Sequence, residues 1–243
     1  MQFNALEISA VALSAATATA TAPRLDLYAG IHKALRAAMS DALLTLGRCD
    51  TQDPVEVSAM ATTLRELLFF CEQHVLHEDR FMHPALHARA PGVSDHAADD
   101  HHGHLEHIAM LRAEVDALLA RAPAHRESAA LALYRRLSLF VAENFEHMLI
   151  EETRHNAALW AHYSDAELAA LHDALLASVP PQEMMATLRW LVPFVAHAER
   201  CALLADMRAH APAPAFEAAL GVVRPHLSER DWGKLVQALG LPA

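Results

Sequence analysis

The sequence predicts an all-α protein: an up-down-up-down four-helix bundle followed by a C-terminal extension of short helices. Three observations carry this expectation. Of 243 residues, 53% are hydrophobic and only 20% are charged, so the chain can bury a sizeable core. The seven glycines are thinly spread among many Ala and Leu residues, which favours helices over strands and tight turns. Apolar residues also recur every three or four positions through four long segments, as one buried helix face requires.

The first helix is expected over about residues 25–46, where Tyr28, His32, Leu35, Met39, Leu43 and Leu46 share a face and Gly47 can end it. Asp53 and Pro54 read as the cap and first position of the second helix, whose stripe Met60, Leu64, Leu67, Cys71, His74, Glu78 and Phe81 runs to Pro84. A turn at Pro91, Gly92 and Ser94 precedes the third helix, marked by His104, Ile108, Leu111, Val115 and Leu118 and ending near Arg121. The fourth starts near Ser128 and carries Leu133, Leu137, Phe140, His147, Glu151 and Leu159 to about His162. Short links between four long helices give the bundle, over residues 24–162.

Residues 1–23 read as a loosely ordered arm, without the basic start of a signal peptide. Residues 163–243 read as short helices over 164–176, 181–196, 199–208, 215–223 and 228–239, punctuated by prolines. Their apolar stripes look too narrow for an independent core. They are expected to pack on the bundle, with Phe194, Phe216 and Trp232 as anchors, and a homodimer is a further expectation.

Charge and composition exclude several functions. The net charge is −11 and no run of Lys/Arg exceeds two, so the electrostatic footprint for nucleic acid is missing. No apolar run reaches the ~18–20 residues of a membrane span. Three widely spaced cysteines, Cys49, Cys71 and Cys201, suggest neither a disulfide frame nor a thiolate site, which fits a reducing cytoplasm. No nucleophile with its base and no glycine-rich phosphate loop is recognisable, so the reading is a binding protein rather than a conventional enzyme.

Eighteen histidines are the anomaly, and histidine is the commonest metal ligand. His74 with Glu78, and His147 with Glu151, are four apart and so present an imidazole and a carboxylate on one helix face. Frequency alone is weak, because about one such pair is expected by chance and three are present. Placement is stronger: both pairs fall on apolar stripes, where unsatisfied polar groups are costly. The third pair, His102 and Glu106, lies on the solvent side. Counted from the helix ends, His32, His74 and His104 come to one level of an antiparallel bundle, ~12–14 Å in, and His147 and Glu151 reach the same level if the fourth helix overhangs the bundle by about a turn; Glu78 lies one turn beyond His74 on the same face. Neutral imidazoles with two carboxylates able to bridge suit two ions of iron, manganese or zinc.

Three segments, Ile31-His32-Lys33-Ala34-Leu35, His74-Val75-Leu76-His77-Glu78-Asp79 with Pro84-Ala85-Leu86 behind it, and His147-Met148-Leu149-Ile150-Glu151-Glu152, resemble the hemerythrin-like, HHE cation-binding proteins. The resemblance spans about residues 24–162. It implies a four-helix bundle holding two iron ions (Fe2+/Fe3+, oxo- or hydroxo-bridged), with Glu78 and Glu151 bridging and His32, His74 and His147 as terminal ligands. It further implies an open position for O2 or another small diatomic or anionic ligand, for sensing, storage or detoxification. Hemerythrins proper carry two histidines four apart on the third helix, whereas His101, His102, His104 and His107 contain no such pair. His104 is the expected ligand, in line with Ile108, Leu111 and Val115, and His101 is the additional candidate one turn earlier.

The remaining histidines are read as structural. His77 is expected on the flank of its stripe, His83 and His87 on a loop around Pro84, and His155 behind the ligands. His197, His210 and His226 are expected in solvent. Two other classes stay in view. A ferritin-like oxidase would use Glu-x-x-His with four glutamates, and the order here is His first. A regulatory adaptor would read the metal state through the C-terminal helices, which only the extension itself supports.

Overall fold

The computed structural model describes residues 24–241, which are helical with no strand among them. The arm expected over 1–23 lies outside the described residues. Four long helices, α1 (Ala29–Arg48), α2 (Pro54–His77), α4 (Asp95–Leu119) and α5 (Arg126–Ile150), pack in a ring in which each touches two others: α1 with α2 and α5, and α4 with α2 and α5. Their stripes meet in one core that includes Leu35, Met39, Met60, Leu64, Ile108, Leu111, Leu137 and Phe140. Local chemistry sets the ends. The Asp53 carboxylate accepts from the backbone N–H groups of Val55 and Glu56, with Pro54 in the first turn. Gly92, at φ 88°, makes the turn before α4.

Two helices run further than the sequence suggests. Pro84 does not end the second helix; the chain widens into a π-turn at Glu78–Met82 and continues as α3 (His83–Arg89). In that turn the His83 N–H reaches back to the Glu78 carbonyl. The wide turn accommodates a proline that has no N–H to donate. A second π-turn, Glu151–His155, interrupts the fourth helix before α6 (Asn156–His162). Both π-turns begin at a glutamate of the expected site. The first helix, by contrast, starts at Ala29, four residues later than its stripe suggests. Below the two turns a small cluster of Tyr28, Met82, Leu86, Leu159 and Leu168 closes this end.

The extension forms α7 (Asp165–Ser178), α8 (Pro181–Phe194), α9 (His197–His210), α10 (Ala213–Val223) and α11 (Glu229–Leu239). It has more core than its stripes suggest: Leu188, Val192, Leu204, Phe216, Leu220, Val223 and Leu235 form their own buried cluster, to which several short helices each contribute. Helix α8 also lies along α1, with Trp190 and Leu191 against the main core. Ion pairs Lys33–Glu199 at 2.7 Å and Arg189–Glu66 at 2.8 Å tie the two parts. Phe194 is half-exposed and stacks on Trp190 instead of anchoring the contact. Among the described residues no helix is long and apolar enough to cross a membrane.

Candidate metal centre

The stripes of α1, α2, α4 and α5 carry polar groups to one level, just where the two π-turns begin. Two quartets result: His32, His74, Glu78 and Glu151, and Glu78, His101, His147 and Glu151. Within each, the donor atoms lie within 4.8 Å of one another. The two glutamates belong to both quartets, and each divides its oxygens between them. Glu78 Oε1 is 3.3 Å from His74 Nε2 and 3.6 Å from His32 Nε2, while its Oε2 is 3.4 Å from His101 Nε2. Glu151 Oε2 is 3.5 Å from His32 Nε2, and its Oε1 is 3.4 Å from His147 Nε2.

These atoms are arranged for a cation. Two donors held by one ion at ~2.1 Å stand about 3.0–3.5 Å apart, close to the separations here. His32 Nε2, His74 Nε2, Glu78 Oε2 and both Glu151 oxygens are buried with no hydrogen-bond partner among the described residues. Each such orphan costs about 1–3 kcal/mol, so five together would weigh heavily on a marginally stable fold unless an ion takes them up. The set of imidazole nitrogens and carboxylate oxygens fits iron, manganese or zinc alike.

Behind the donors, three imidazoles are held by carboxylates through their other nitrogen. His32 Nδ1 is 3.1 Å from Glu152 Oε1, His101 Nδ1 is 2.7 Å from Asp79 Oδ1, and His147 Nδ1 is 3.1 Å from Asp100 Oδ2. A carboxylate there fixes the N–H on Nδ1 and turns the Nε2 lone pair inward, as metal-binding histidines require. Arg36 grips Glu152 from the far side. The group as a whole, Glu78, Glu151, Glu152, Asp79 and Asp100 against Arg36, is five carboxylates to one guanidinium, a formal −4 when the imidazoles are neutral.

In the metal-free chain these charges dictate protonation. Burial works against a charge on His32, but Glu152, Glu78 and Glu151 outweigh it and raise its pKa to about 9. His101 likewise rises to about 9, where burial is outweighed by Glu78, Asp79 and Glu151. Burial dominates at His74 and lowers it to about 3. Glu151 is raised, by its burial and by the charge of Glu78. Glu78 lies well below the usual carboxylate range, because His74, His101 and His32 overcome its burial.

Against the sequence expectation, His32, His74, Glu78, His147 and Glu151 come together and His101 completes the set. His104 is buried beside His147, with ring centroids 4.8 Å apart, but it belongs to neither quartet. The reason is the late start of α1: four residues are about 6 Å of helix, so the level of His32 lies nearer the bundle end than expected and meets His101, one turn before His104. His83 is also corrected. It is buried and stacks on His101 at 4.7 Å rather than lying on a surface loop. In an uninterrupted α-helix it would face roughly 140° from Glu78; the π-turn adds a residue and returns it to the interior. His155 is fully buried, with Nδ1 3.9 Å from Glu151 Oε1. His77 lies at the flank, with Nε2 3.5 Å from Glu183 of α8. His87, His102, His197, His210 and His226 are exposed.

Sequence reasoning missed the supporting carboxylates Asp79, Asp100 and Glu152. A signal for two of them exists, since each shared glutamate is followed directly by a second acid, Glu78-Asp79 and Glu151-Glu152. A surface pocket of about 430 Å³ opens beside the site, with Asp99, Asp100, His104, Glu143, Glu146 and His147 in its wall. Its carboxylates would concentrate cations next to His147. No protein-family model, curated protein or solved structure matches this chain.

Proposed function

We propose that this chain is a hemerythrin-like metal protein: an up-down-up-down four-helix bundle that holds two iron ions and binds O2 or a related small ligand, such as NO, peroxide or an anion, for sensing, storage or detoxification. His32 and His74 would hold one ion, His101 and His147 the other, and Glu78 and Glu151 both. The observation that carries the reading is the division of each glutamate's oxygens between the quartets. It supports two ions rather than one, and two divalent ions would also balance the formal −4 of the group. When bound, an iron pair supplies open coordination positions and one-electron chemistry at each ion. The chain's own residues would hold the ions and orient the imidazoles through Glu152, Asp79 and Asp100, with a pocket open to solvent beside His147. Neither the histidine-first motifs nor the supporting carboxylates match the four-glutamate pattern of a ferritin-like oxidase.

Elemental analysis with a visible spectrum before and after azide tests this. The expected result is about two metals per chain and a charge-transfer band that moves with azide. A chain that binds no metal, or a single ion without such a band, would refute it.

A regulatory role has a specific observation in its favour. Helix α8 and its neighbour α9 touch residues next to the donors: Glu199 pairs with Lys33 beside His32, and Glu183 lies against His77 beside Glu78. On that reading, hydrogen exchange of α8 and α9 changes between metal-free and loaded protein. Unchanged exchange in both helices would leave only the small-ligand role.

A further inference from the structure

His32, Glu78, His101, His147 and Glu151 are all buried, so an ion can reach them only through some opening in the protein surface. The end of the bundle is closed by the cluster around Tyr28 and Leu86, and α8 covers the outer side of α1. A groove of about 560 Å³ between α2 and α8 has Phe69, Phe70 and Trp190 in its wall but none of the donors. The pocket of about 430 Å³ between α4 and α5 differs, because the donor His147 forms part of its wall.

Helical spacing builds this pocket. Asp99, Asp100, Gly103 and His104 fall within about one turn of each other on α4, and Glu143, Glu146 and His147 do so on α5. Asp99 and Glu146 are exposed at its mouth, and among the described residues no Lys or Arg lines it. Further in, Asp100 Oδ2 is 3.1 Å from His147 Nδ1. His147 Nε2, across the same ring, is 3.4 Å from Glu151 Oε1. That ring is therefore the partition between pocket and quartet. His104, beside it in the pocket wall, is 5% exposed, and its Nδ1 has no partner among the described residues.

Gly103 sits inside α4, where glycine disfavours the helix and the backbone has no need of it. A Cβ there would meet nothing within 4 Å, so close packing does not require glycine either. What the missing side chain leaves free is space in the pocket that Gly103 lines. A cleft walled by one sign of charge raises counter-ion on-rates by about 10–10³. Among the described residues, every group of three or more donors within 4.8 Å includes Glu78, Asp79 or Glu151, so none lies wholly in this pocket. A cation drawn in is passed on rather than kept. We propose that this pocket is the entry port of the metal centre: Asp99 and Glu146 draw a hydrated divalent cation to the mouth, Asp100 and His104 receive it, and Gly103 keeps the passage to His147 open. This inference rests on the two-metal reading above.

The test follows uptake of cobalt(II), as the probe ion, by the full metal-free chain in stopped-flow visible absorption, with metal counted by elemental analysis at the end. Asp99→Asn with Glu146→Gln should load about tenfold more slowly at low salt, and the gap should narrow to about twofold at about 0.5 M salt, because screening removes steering but not donors. Asp206→Asn with Glu217→Gln makes the same charge change on exposed carboxylates of α9 and α10 and should load at the parent rate. Gly103→Leu should slow uptake and loss to a chelator by one common factor of about five, with affinity unchanged. Gly103→Ala should load at the parent rate and melt about 2–4 °C higher. All variants should finish with two metals, and the carboxamide pair decides alone if Gly103→Leu does not fold. Loading at the parent rate by the carboxamide pair or by folded Gly103→Leu, equal slowing by the control pair, or a pocket variant that finishes with fewer metals would overturn the port while leaving the metal pair standing. A parent chain that does not take up two metals would instead refute the metal reading, and this inference with it.

Discussion

Removing one shared glutamate should cost the centre far more than removing any one histidine. Glu78 and Glu151 each place one oxygen in each quartet, whereas His32, His74, His101 and His147 each serve a single quartet. A four-donor protein site for a divalent ion such as zinc is worth about 10–16 kcal/mol, or roughly 2.5–4 kcal/mol per donor, which is about 10²–10³-fold in affinity. Losing a histidine should therefore weaken one ion by about 10²–10³-fold. Losing a glutamate takes a donor from both ions and a negative charge from between them, so the product of the two dissociation constants should rise by about 10⁴–10⁶-fold. The assay is metal retained per chain after dialysis against a graded series of chelator, for Glu78→Ala, Glu151→Ala, His32→Ala and His147→Ala, with circular dichroism as the check on folding. Glu78→Gln keeps the side-chain volume and separates loss of charge from loss of packing. The expected order is two metals for the parent, one for the histidine variants and none for the glutamate variants at the same chelator strength. Glutamate variants that kept one ion at full affinity would show that the carboxylates are not shared, and the reasoning would fail.

Three further outcomes follow from the same geometry. His101→Ala should lose one metal and His104→Ala should keep both, by elemental analysis; the reverse result would restore the choice made from sequence spacing. The metal-free protein carries protons on His32 and His101 up to about pH 9, and because these pKa values are raised, their stabilising contribution is complete below about pH 6.5 and fades as pH rises through 9. Metal needs both imidazoles neutral, and His147 and Glu151 are raised as well, so loading at pH 7 should release two or more protons and apparent affinity should climb with pH and level off above about 9; calorimetry in buffers of different ionisation enthalpy would show no proton release if this were wrong. Residues 1–163 alone should melt about 10 °C below the full chain, because Trp190 and Leu191 no longer cover α1, a loss of about 3 kcal/mol at 2–4 °C per kcal/mol; an unchanged melting temperature would make the extension an independent module.

The sequence by itself determined the helical class, the stripes of the four long helices and most of the residues that meet in the two buried His/Glu quartets, because burial on a helix is periodic and a histidine or glutamate on an apolar stripe has few acceptable roles. His32, His74, Glu78, His147 and Glu151 were legible for that reason. Only the tertiary structure decided between His101 and His104, since both lie on the stripe of α4 and the choice depends on the height at which α1 begins, which Tyr28 and its neighbours blur by continuing the pattern upstream. It also decided the fate of His83. A π-turn inserts one residue into the helical repeat, and no spacing rule based on 3.6 residues per turn places a side chain correctly beyond it. The pairing of His101 with Asp79 and of His147 with Asp100 joins different helices, and the small core of the extension gathers apolar residues from several short ones. Local periodicity tells which side of a helix is buried; which groups meet across the core depends on how the helices are set against each other.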